Sequence, residues 1–361
     1  MADLLEYKCP SCGGTLKFDA GTQDMKCPYC GSTINVETLA SMDENLGVKE
    51  DSFDWVKMAD NQWEEGEADA MKVYVCNSCG GEIVCDGSVA ATKCPYCDSP
   101  VVMQGNLEGN LKPDLVVPFK ITKKEAKERY LKHLEGKMFL PKVFKDENHI
   151  DEMKSIYVPF WLFDCDTDAS ATYRATKTQM WSDSDNDYLK TDYYKVIREG
   201  TMEFENIPVD GSLAMPDDLM QSIEPYKMAE AVDFQTAYLS GYLAEKYTVT
   251  AKDSIDIANE RVRNSTIDAF RKTVKGYVSV DNTSVNVTVN NGSCRYGLLP
   301  VWIMNTTYNN GKYIFAINGQ TGKTVGNLPI DKKAARRYML KISAIATAVV
   351  AAAEYIFLFV L

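Results

Sequence analysis

The chain has 361 residues, with 51 acidic and 39 basic side chains and a formal net charge of −12. A chain of this length forms two or three domains. The imbalance lies in residues 1–110, where 19 acidic residues against 7 lysines give −12, whereas the remainder is balanced. Because nucleic-acid binding depends on a basic surface that neutralises phosphates, this composition weighs against duplex DNA or RNA as a partner.

Two pairs of cysteines stand near the start of the chain and are repeated further on. In each copy, fourteen residues separate one Cys-x-x-Cys pair from the next. This spacing matches a four-thiolate metal site, which binds zinc as a closed tetrahedron with no open position for substrate. Two structural zinc ions are therefore predicted. Their ligands are Cys9, Cys12, Cys27 and Cys30 in the first copy, and Cys76, Cys79, Cys94 and Cys97 in the second.

The same spacing also suits iron. A tetrahedral four-sulfur site accepts either metal, and rubredoxin-type centres use cysteine pairs of this kind. Zinc is the favoured prediction, and a reddish colour of the purified protein would indicate iron. The remaining cysteines, Cys85, Cys165 and Cys294, are predicted to be small buried apolar side chains.

The predicted organisation follows the chain from the first ribbon to the last helix. Residues 1–36 form one rubredoxin-like zinc ribbon, and residues 73–104 form a second ribbon with a turn at Asp86-Gly87. Residues 37–72 form an acidic linker, whose apolar part from Phe53 to Met71 is predicted to be a helix that packs on a ribbon, with a docking segment for a partner as the alternative. Residues 105–330 form a mixed sheet-and-helix domain, which makes the fold class α+β. Residues 331–341 form a basic segment, and residues 342–361 a transmembrane helix.

Hydrophobic periodicity predicts the elements of the mixed domain. The capping box Thr122-Lys-Lys-Glu125 begins a helix that runs to about Leu134. Further helices are predicted over residues 217–223, 229–247 and 253–274. Strands are predicted over residues 116–119, 156–163, 169–180, 188–204, 277–289, 295–308, 312–317 and 323–326. Two strands carry similar motifs, Tyr157-Val-Pro-Phe-Trp and Leu299-Pro-Val-Trp, which indicates a duplicated strand unit.

The last twenty residues, 342–361, are nearly all apolar or small. As a helix they would span about 30 Å, the thickness of a bilayer core. Basic residues beside a transmembrane helix stay on the cytoplasmic side, and thiolate sites also need the reducing conditions of the cytoplasm. We therefore expect a single-pass anchor in the cell membrane with the ribbons facing the cytoplasm. Glu354 would be protonated or paired with another membrane helix. The basic flank consists of Lys332, Lys333, Arg336, Arg337 and Lys341.

Motifs that would indicate catalysis are incomplete. Gly319-Gln-Thr-Gly-Lys-Thr lacks the first glycine of a phosphate-binding loop, because Ile317 stands there, and a hairpin turn is predicted instead. The Asp-x-Asp-x-Asp segments at Asp164 and Asp183 lack the glycine and glutamate of a calcium loop. No nucleophile elbow is present. The sequence therefore predicts a protein without enzymatic activity.

Motifs in the middle of the chain carry a resemblance to a bacterial family. They are Tyr157-Val-Pro-Phe-Trp, Glu224-Pro-Tyr, Leu239-Ser-Gly-Tyr, Leu299-Pro-Val-Trp, Asn318-Gly-Gln-Thr-Gly-Lys and Leu328-Pro. With the twin ribbons, they are similar over nearly the full length to the TFIIB-type zinc ribbon-containing proteins, which are membrane-anchored double-ribbon proteins. The resemblance implies two zinc ions on the eight cysteines and a non-enzymatic role, often beside phage-shock-type membrane-stress proteins.

The expected function is that of a cytoplasm-facing scaffold or adaptor. The ribbons would present surfaces to protein partners, with phage-shock-type membrane proteins as candidates, and the anchor would hold them at the lipid bilayer. One alternative is a zinc-ribbon nucleic-acid-binding protein, against which the acidic charge weighs. The second alternative is a rubredoxin-like iron redox protein.

Overall fold

The computed structural model describes residues 7–9, 12, 14–36, 50–69, 71–85, 93–107 and 110–359. The chain divides into two compact units, each built from three separate segments. Unit 1 comprises Met1–Lys57, Phe163–Ile207 and Asp256–Ser293, and unit 2 comprises Met58–Leu162, Pro208–Ile255 and Cys294–Leu361. Segments of the predicted domain 105–330 therefore belong to both units, and each unit contains one cysteine quartet.

Strands outnumber helices among the described residues. The strands are β1 (Lys17–Asp19), β2 (Asp24–Lys26), β3 (Thr33–Asn35), β4 (Ser52–Lys57), β5 (Lys72–Cys76), β6 (Glu82–Cys85), β7 (Val101–Asn106), β8 (Leu115–Val116), β9 (Lys154–Ser182), β10 (Asp187–Asp210), β11 (Val232–Asp233), β12 (Leu243–Glu245), β13 (Ser279–Tyr308), β14 (Gly311–Asn318) and β15 (Thr324–Gly326). The helices are α1 (Lys123–Leu134), α2 (Glu147–Ile150), α3 (Asp217–Ile223), α4 (Ile255–Thr273) and α5 (Lys332–Phe359), and 3-10 turns lie at Lys142–Lys145, Met228–Glu230 and Thr236–Leu239.

Unit 1 contains a small antiparallel sheet, β1-β2-β3, and a second group of strands covered by α4. Apolar residues recur at helical spacing along α4, so Val262 and Phe270 lie buried against Tyr173 of β9. Strand β4 pairs in parallel with β13. Trp55 of β4 donates its indole N–H to Asn259 of α4 at 2.9 Å. These contacts fix β4 on the apolar core of unit 1.

Unit 2 is organised around a mixed sheet in which β8, β13, β9, β12, β6, β5 and β7 are successive neighbours. Strand β12 is parallel to β9 and antiparallel to β6. Both faces of β9 are buried here, with Val158 and Phe160 on one face and Tyr157 and Trp161 on the other. A strand whose two faces are both buried has a continuous apolar sequence and not an alternating one, and residues 156–163 show this pattern.

Two segments of unit 2 repeat the same hydrogen bonds, which supports the predicted duplication. The carbonyl oxygen of Pro159 in β9 accepts the N–H of Gly211 at 2.9 Å, and that of Pro300 in β13 accepts the N–H of Gly319 at 2.8 Å. Each glycine follows the end of the returning strand of a hairpin, β10 or β14. The motifs at Tyr157 and Leu299 are therefore parts of larger equivalent units.

The tryptophans of the two motifs also have equivalent partners. The indole N–H of Trp161 donates to the carbonyl of Val249 at 2.9 Å, and that of Trp302 donates to Ile121 at 2.8 Å. Both acceptors stand directly before a threonine. Thr122 caps α1 with Glu125 in a capping box, and Thr250 bonds to Asp253 in the turn before α4.

The predicted transmembrane helix over residues 342–361 is wrong. Most of this segment belongs to α5, which begins at Lys332. Within the described part of the chain, no helix is both long enough and apolar enough to cross a membrane. The start of α5 carries the basic residues, and its later part is rich in alanine, which has little apolar surface to remove from water. Residues 360–361 and the side chain of Glu354 lie outside the described residues.

Two further conclusions change with this correction. The prediction of a single-pass location in the cell membrane is overturned, because it depended on that helix. The fold class is likewise corrected, from an α+β domain between two ribbons and an anchor to a mixed, sheet-dominated fold with two cysteine quartets near its N-terminus.

Two other predicted helices are also wrong. Residues 53–71 begin in strand β4 and continue without a helix through residue 69, while residues 37–49 and 70 and the turn at Asp86-Gly87 lie outside the described residues. Residues 229–247 form two 3-10 turns and the strands β11 and β12. Strand β12 lies between β9 and β6 with every residue buried, so sheet pairing overrides the helical spacing there.

Candidate metal centres

The first quartet lies among short turns that precede β1 and join β2 to β3. The sulfurs of Cys9 and Cys30 are 3.6 Å apart, and those of Cys12 and Cys27 are 3.5 Å apart. All four sulfurs lie within 4.8 Å of one another. Four sulfurs bound to one zinc ion at about 2.3 Å lie about 3.8 Å apart, so this group fits a tetrahedral site.

The second quartet has the same geometry. Cys76 ends β5, and the sulfurs of Cys76 and Cys97 are 3.5 Å apart, as are those of Cys79 and Cys94. These four sulfurs also lie within 4.8 Å of one another. The structure therefore brings the eight predicted residues together as two groups of four that could hold metal ions.

Backbone turns shape both groups. The N–H of Cys27 donates to the carbonyl of Ser32, and that of Cys94 donates to Ser99, each at 2.8 Å. Such a bond closes a tight loop that aims two sulfurs at one point. Gly31, with φ of +74°, lies in the first of these loops in the left-handed region that glycine adopts without strain.

Hydrogen bonds favour the thiolate form at the last cysteine of each quartet. The side chain and backbone of Ser32 lower the pKa of Cys30 to about 6, and the two side chains are 3.1 Å apart. Burial raises the pKa of Cys97, but hydrogen bonds from Ser99 outweigh it and bring the value to about 6. Thiolates are the form that binds metal, and a bound cation would favour the same form at the other sulfurs.

The two quartets have different surroundings within their own units. In the first, the apolar cluster consists of Cys9, Cys27 and Leu16 with partly buried neighbours, and Tyr29 between the second pair of cysteines is 77% exposed. In the second, the equivalent Tyr96 is 2% exposed and belongs to the main core of unit 2. The sequence repeat therefore produces one peripheral and one embedded centre.

Tyr96 connects the second centre to a buried carboxyl group. Its phenol donates to one carboxylate oxygen of Glu245 in β12, and the hydroxyl of Ser212 donates to the other at 2.5 Å. Glu245 is 1% exposed. Burial raises the pKa of Glu245 to about 7, although both hydrogen bonds act in the opposite direction.

A second carboxyl group, Asp210, lies beside this network. One of its oxygens accepts the N–H of Ser212 at 3.0 Å, whereas the other is buried and has no hydrogen-bond partner among the described residues. Burial, followed by the charge of Glu245, raises the pKa of Asp210 to about 8. Neither carboxyl group was predicted from the sequence. The available signal was the match of Asp210-Gly-Ser to Asn318-Gly-Gln in the repeated motif.

Two further side chains hold the loop of the second centre. The ammonium group of Lys154 in β9 lies 3.2 Å from the carbonyl oxygen of Cys94 and 3.1 Å from the carboxylate of Asp98. Asn305 of β13 donates to the carbonyl of Pro95. The metal-binding loop is thereby attached to two central strands of unit 2.

The glycine-rich segment that follows β14 forms a hairpin turn. The segment from Gly319 to Lys323 is a turn between antiparallel strands β14 and β15, closed by the N–H of Asn318 and the carbonyl of Lys323 at 2.9 Å, as predicted. His133 lies in α1 with its ring 3.0 Å from the ammonium of Lys137, and burial lowers its pKa. The side chain of His149 lies outside the described residues.

Comparison with known proteins finds a relative that matches nearly the full length of the chain. The chain is 33% identical over 330 residues to "Uncharacterized protein YdjG" of Bacillus subtilis (strain 168), and the match covers 91% of each protein. No protein-family model matches the chain. No solved structure matches it either.

Proposed function

The chain belongs to the same family as YdjG of Bacillus subtilis, and we propose that it is a non-enzymatic adaptor built around two zinc ions. The observation that carries the proposal is the geometry of the quartets, in which four sulfurs lie within 4.8 Å of one another. A metal ion held by four sulfurs has no open position for a substrate or a reactive water molecule. The centres would therefore stabilise the fold.

Zinc is the proposed metal because four-cysteine sites of this kind, with paired cysteines in tight turns, are typical structural zinc sites. Iron would fit the same sulfurs but would absorb visible light, whereas zinc would not. The absorption spectrum of the purified full chain separates the two. A colourless protein with bound zinc supports the proposal, and a red protein with bound iron supports a redox role.

The first ribbon supplies the proposed partner surface. Phe18 of β1 is 53% exposed and Tyr29 is 77% exposed. Exposed aromatic side chains on a small metal-stabilised domain are suited to contacts with another protein, where aromatic residues are enriched. The acidic charge of residues 1–110 favours a basic or apolar partner over nucleic acid.

A capture experiment tests the adaptor role. The tagged full chain and a Phe18→Ser/Tyr29→Ser variant would be crosslinked to proteins of a bacterial lysate, with Leu213→Ser, which alters a side chain that is 76% exposed in unit 2, as the matched control. We expect a protein that is captured by the wild type and the control but lost with the double variant. Equal capture by all three, or a salt-sensitive shift of duplex DNA by the wild type, would contradict the proposal.

A further inference from the structure

Strand β10 has one open edge. Among the residues that the structure describes, it pairs with β9 alone. At its start the side chains are accessible: Tyr188 is 39%, Leu189 63% and Tyr193 43% exposed. An exposed edge strand with apolar side chains is a template for pairing with another strand.

The sequence of this edge is complementary to itself when it is read in reverse. The centre of the pattern is Thr191, and each residue before it matches a residue at the same distance after it. Opposite charges meet, and large apolar or aromatic side chains meet, as favourable cross-strand pairs do. In antiparallel self-pairing the partners would be Asp187 with Lys195, Tyr188 with Tyr194, Leu189 with Tyr193, Lys190 with Asp192, and Thr191 with itself.

The hydrogen-bond pattern of the β9–β10 hairpin shows which residues of β10 turn their N–H and carbonyl groups towards the open edge, and it permits this register. The N–H of Asp183 donates to the carbonyl of Asn186 at 2.9 Å, and the side chains of Thr178 and Thr191 meet across the hairpin at 3.5 Å. Because hydrogen-bonded and non-bonded pairs alternate from the first of these contacts, Thr191 falls in a non-bonded pair with β9. Its N–H and carbonyl therefore face the open edge, as do those of Leu189 and Tyr193, two residues away on either side.

From these observations we infer that a second copy of the chain binds at this edge, with the two β10 strands antiparallel about a twofold axis at Thr191. The contact is isologous, so it closes after two copies. It removes Leu189 and Tyr193 from water and places Lys190 opposite Asp192 of the second copy. Lys190 and Asp192 already form an ion pair within one strand, at 3.1 Å, so the four charges would form a network across the axis.

The test reads the mass of the intact protein by light scattering during size-exclusion chromatography at micromolar concentration. We expect twice the mass of the chain for the wild type. Thr191→Pro removes the outward N–H without removing a bond to β9, so this variant should run as a monomer. The matched control Thr191→Val keeps the N–H and should remain a dimer. Circular dichroism checks that both variants retain the fold.

A charge exchange tests the register. Lys190→Asp places like charges opposite each other and should raise the dissociation constant of the dimer at least tenfold, whereas adding Asp192→Lys should restore it. The single variant also breaks the ion pair within one strand, and the double variant restores it. An effect that came from this ion pair alone would change the melting temperature but not the dissociation constant of the dimer. A monomeric wild type, or a dimer that none of these variants weakens, would overturn the inference. Such a result would leave the proposed metal centres and adaptor role unaffected.

Discussion

The phenol of Tyr96, in the loop that carries Cys94 and Cys97, donates a hydrogen bond to Glu245, 149 positions later in the chain. The bond attaches the second metal centre to β12, a central strand of unit 2. In the first copy the same position, Tyr29, is largely exposed. One repeated motif therefore serves as an anchored element in one place and as an accessible element in the other.

Removing the Tyr96 hydroxyl should destabilise the protein. Tyr96→Phe leaves one buried oxygen of Glu245 without its donor, so the free energy of unfolding should fall by about 1–3 kcal/mol. Tyr29→Phe is the matched control, since its hydroxyl is exposed, and should change the value by less than about 0.5 kcal/mol. Urea unfolding of the metal-loaded chain measures both. Equal effects of the two substitutions would contradict the conclusion that Tyr96 is anchored to the core whereas Tyr29 is not.

Replacing Asp210 should stabilise the protein, and more so at high pH. Its pKa in the folded state is about 8, above the ordinary value of about 3.9, because the group is buried. Between these values the folded protein keeps a proton that the unfolded chain has released, so the free energy of unfolding falls as pH rises towards 8. Asp210→Asn lacks this titration and matches Asn318 of the repeated motif.

Urea unfolding at about pH 6 and about pH 8.5 checks this expectation. The free energy of unfolding of Asp210→Asn should exceed that of the wild type by more at the higher pH than at the lower pH. Asp281→Asn, which replaces an exposed carboxyl group, serves as the control and should behave as the wild type at both values. The same advantage at both pH values would show that Asp210 does not titrate in this range.

The two glycines of the internal repeat should differ in their tolerance of a methyl group. A Cβ atom at Gly319 would lie 2.6 Å from the ring of Phe119 and 2.8 Å from Pro300, whereas at Gly211 the nearest atom, in Trp161, is 3.3 Å away. The Phe119 ring is held by other aromatic rings and cannot easily move. Gly319→Ala should therefore cost about 1–3 kcal/mol of unfolding free energy.

Gly211→Ala should cost less than Gly319→Ala, because its neighbours need to move by only a few tenths of an ångström. Thermal unfolding of the two variants side by side gives the comparison. A larger loss for Gly211→Ala would indicate that the repeat positions are packed differently from what the hydrogen bonds suggest.

The elements that could be predicted from the sequence are those fixed by local signals. The capping box at Thr122 marks the start of α1, and the helices predicted over residues 217–223 and 253–274 match α3 and α4 closely. The long strands β9 and β13 are each predicted only as two shorter strands, because polar residues interrupt the pattern at 164–168 and 290–294. The cysteine quartets depend only on spacing, and the structure groups them as expected.

The remaining features depend on contacts between distant residues. Strand β12 is too short to show a period, and its pairing partners β6 and β9 lie far away in sequence. The bond from Tyr96 to Glu245 likewise leaves no local pattern. The predicted transmembrane helix rested on the length and low polarity of residues 342–361 and on the basic residues before them, but small side chains make up much of α5.

Native mass spectrometry of the intact chain tests the metal assignment most directly, because it counts the ions on each molecule. We expect two zinc ions on the wild type and on Cys165→Ala, which alters a buried cysteine outside the quartets. One ion should remain in Cys27→Ser and one in Cys94→Ser, since each variant removes a ligand from a different quartet. A wild-type chain without two bound zinc ions, or variants that keep both, would contradict the account.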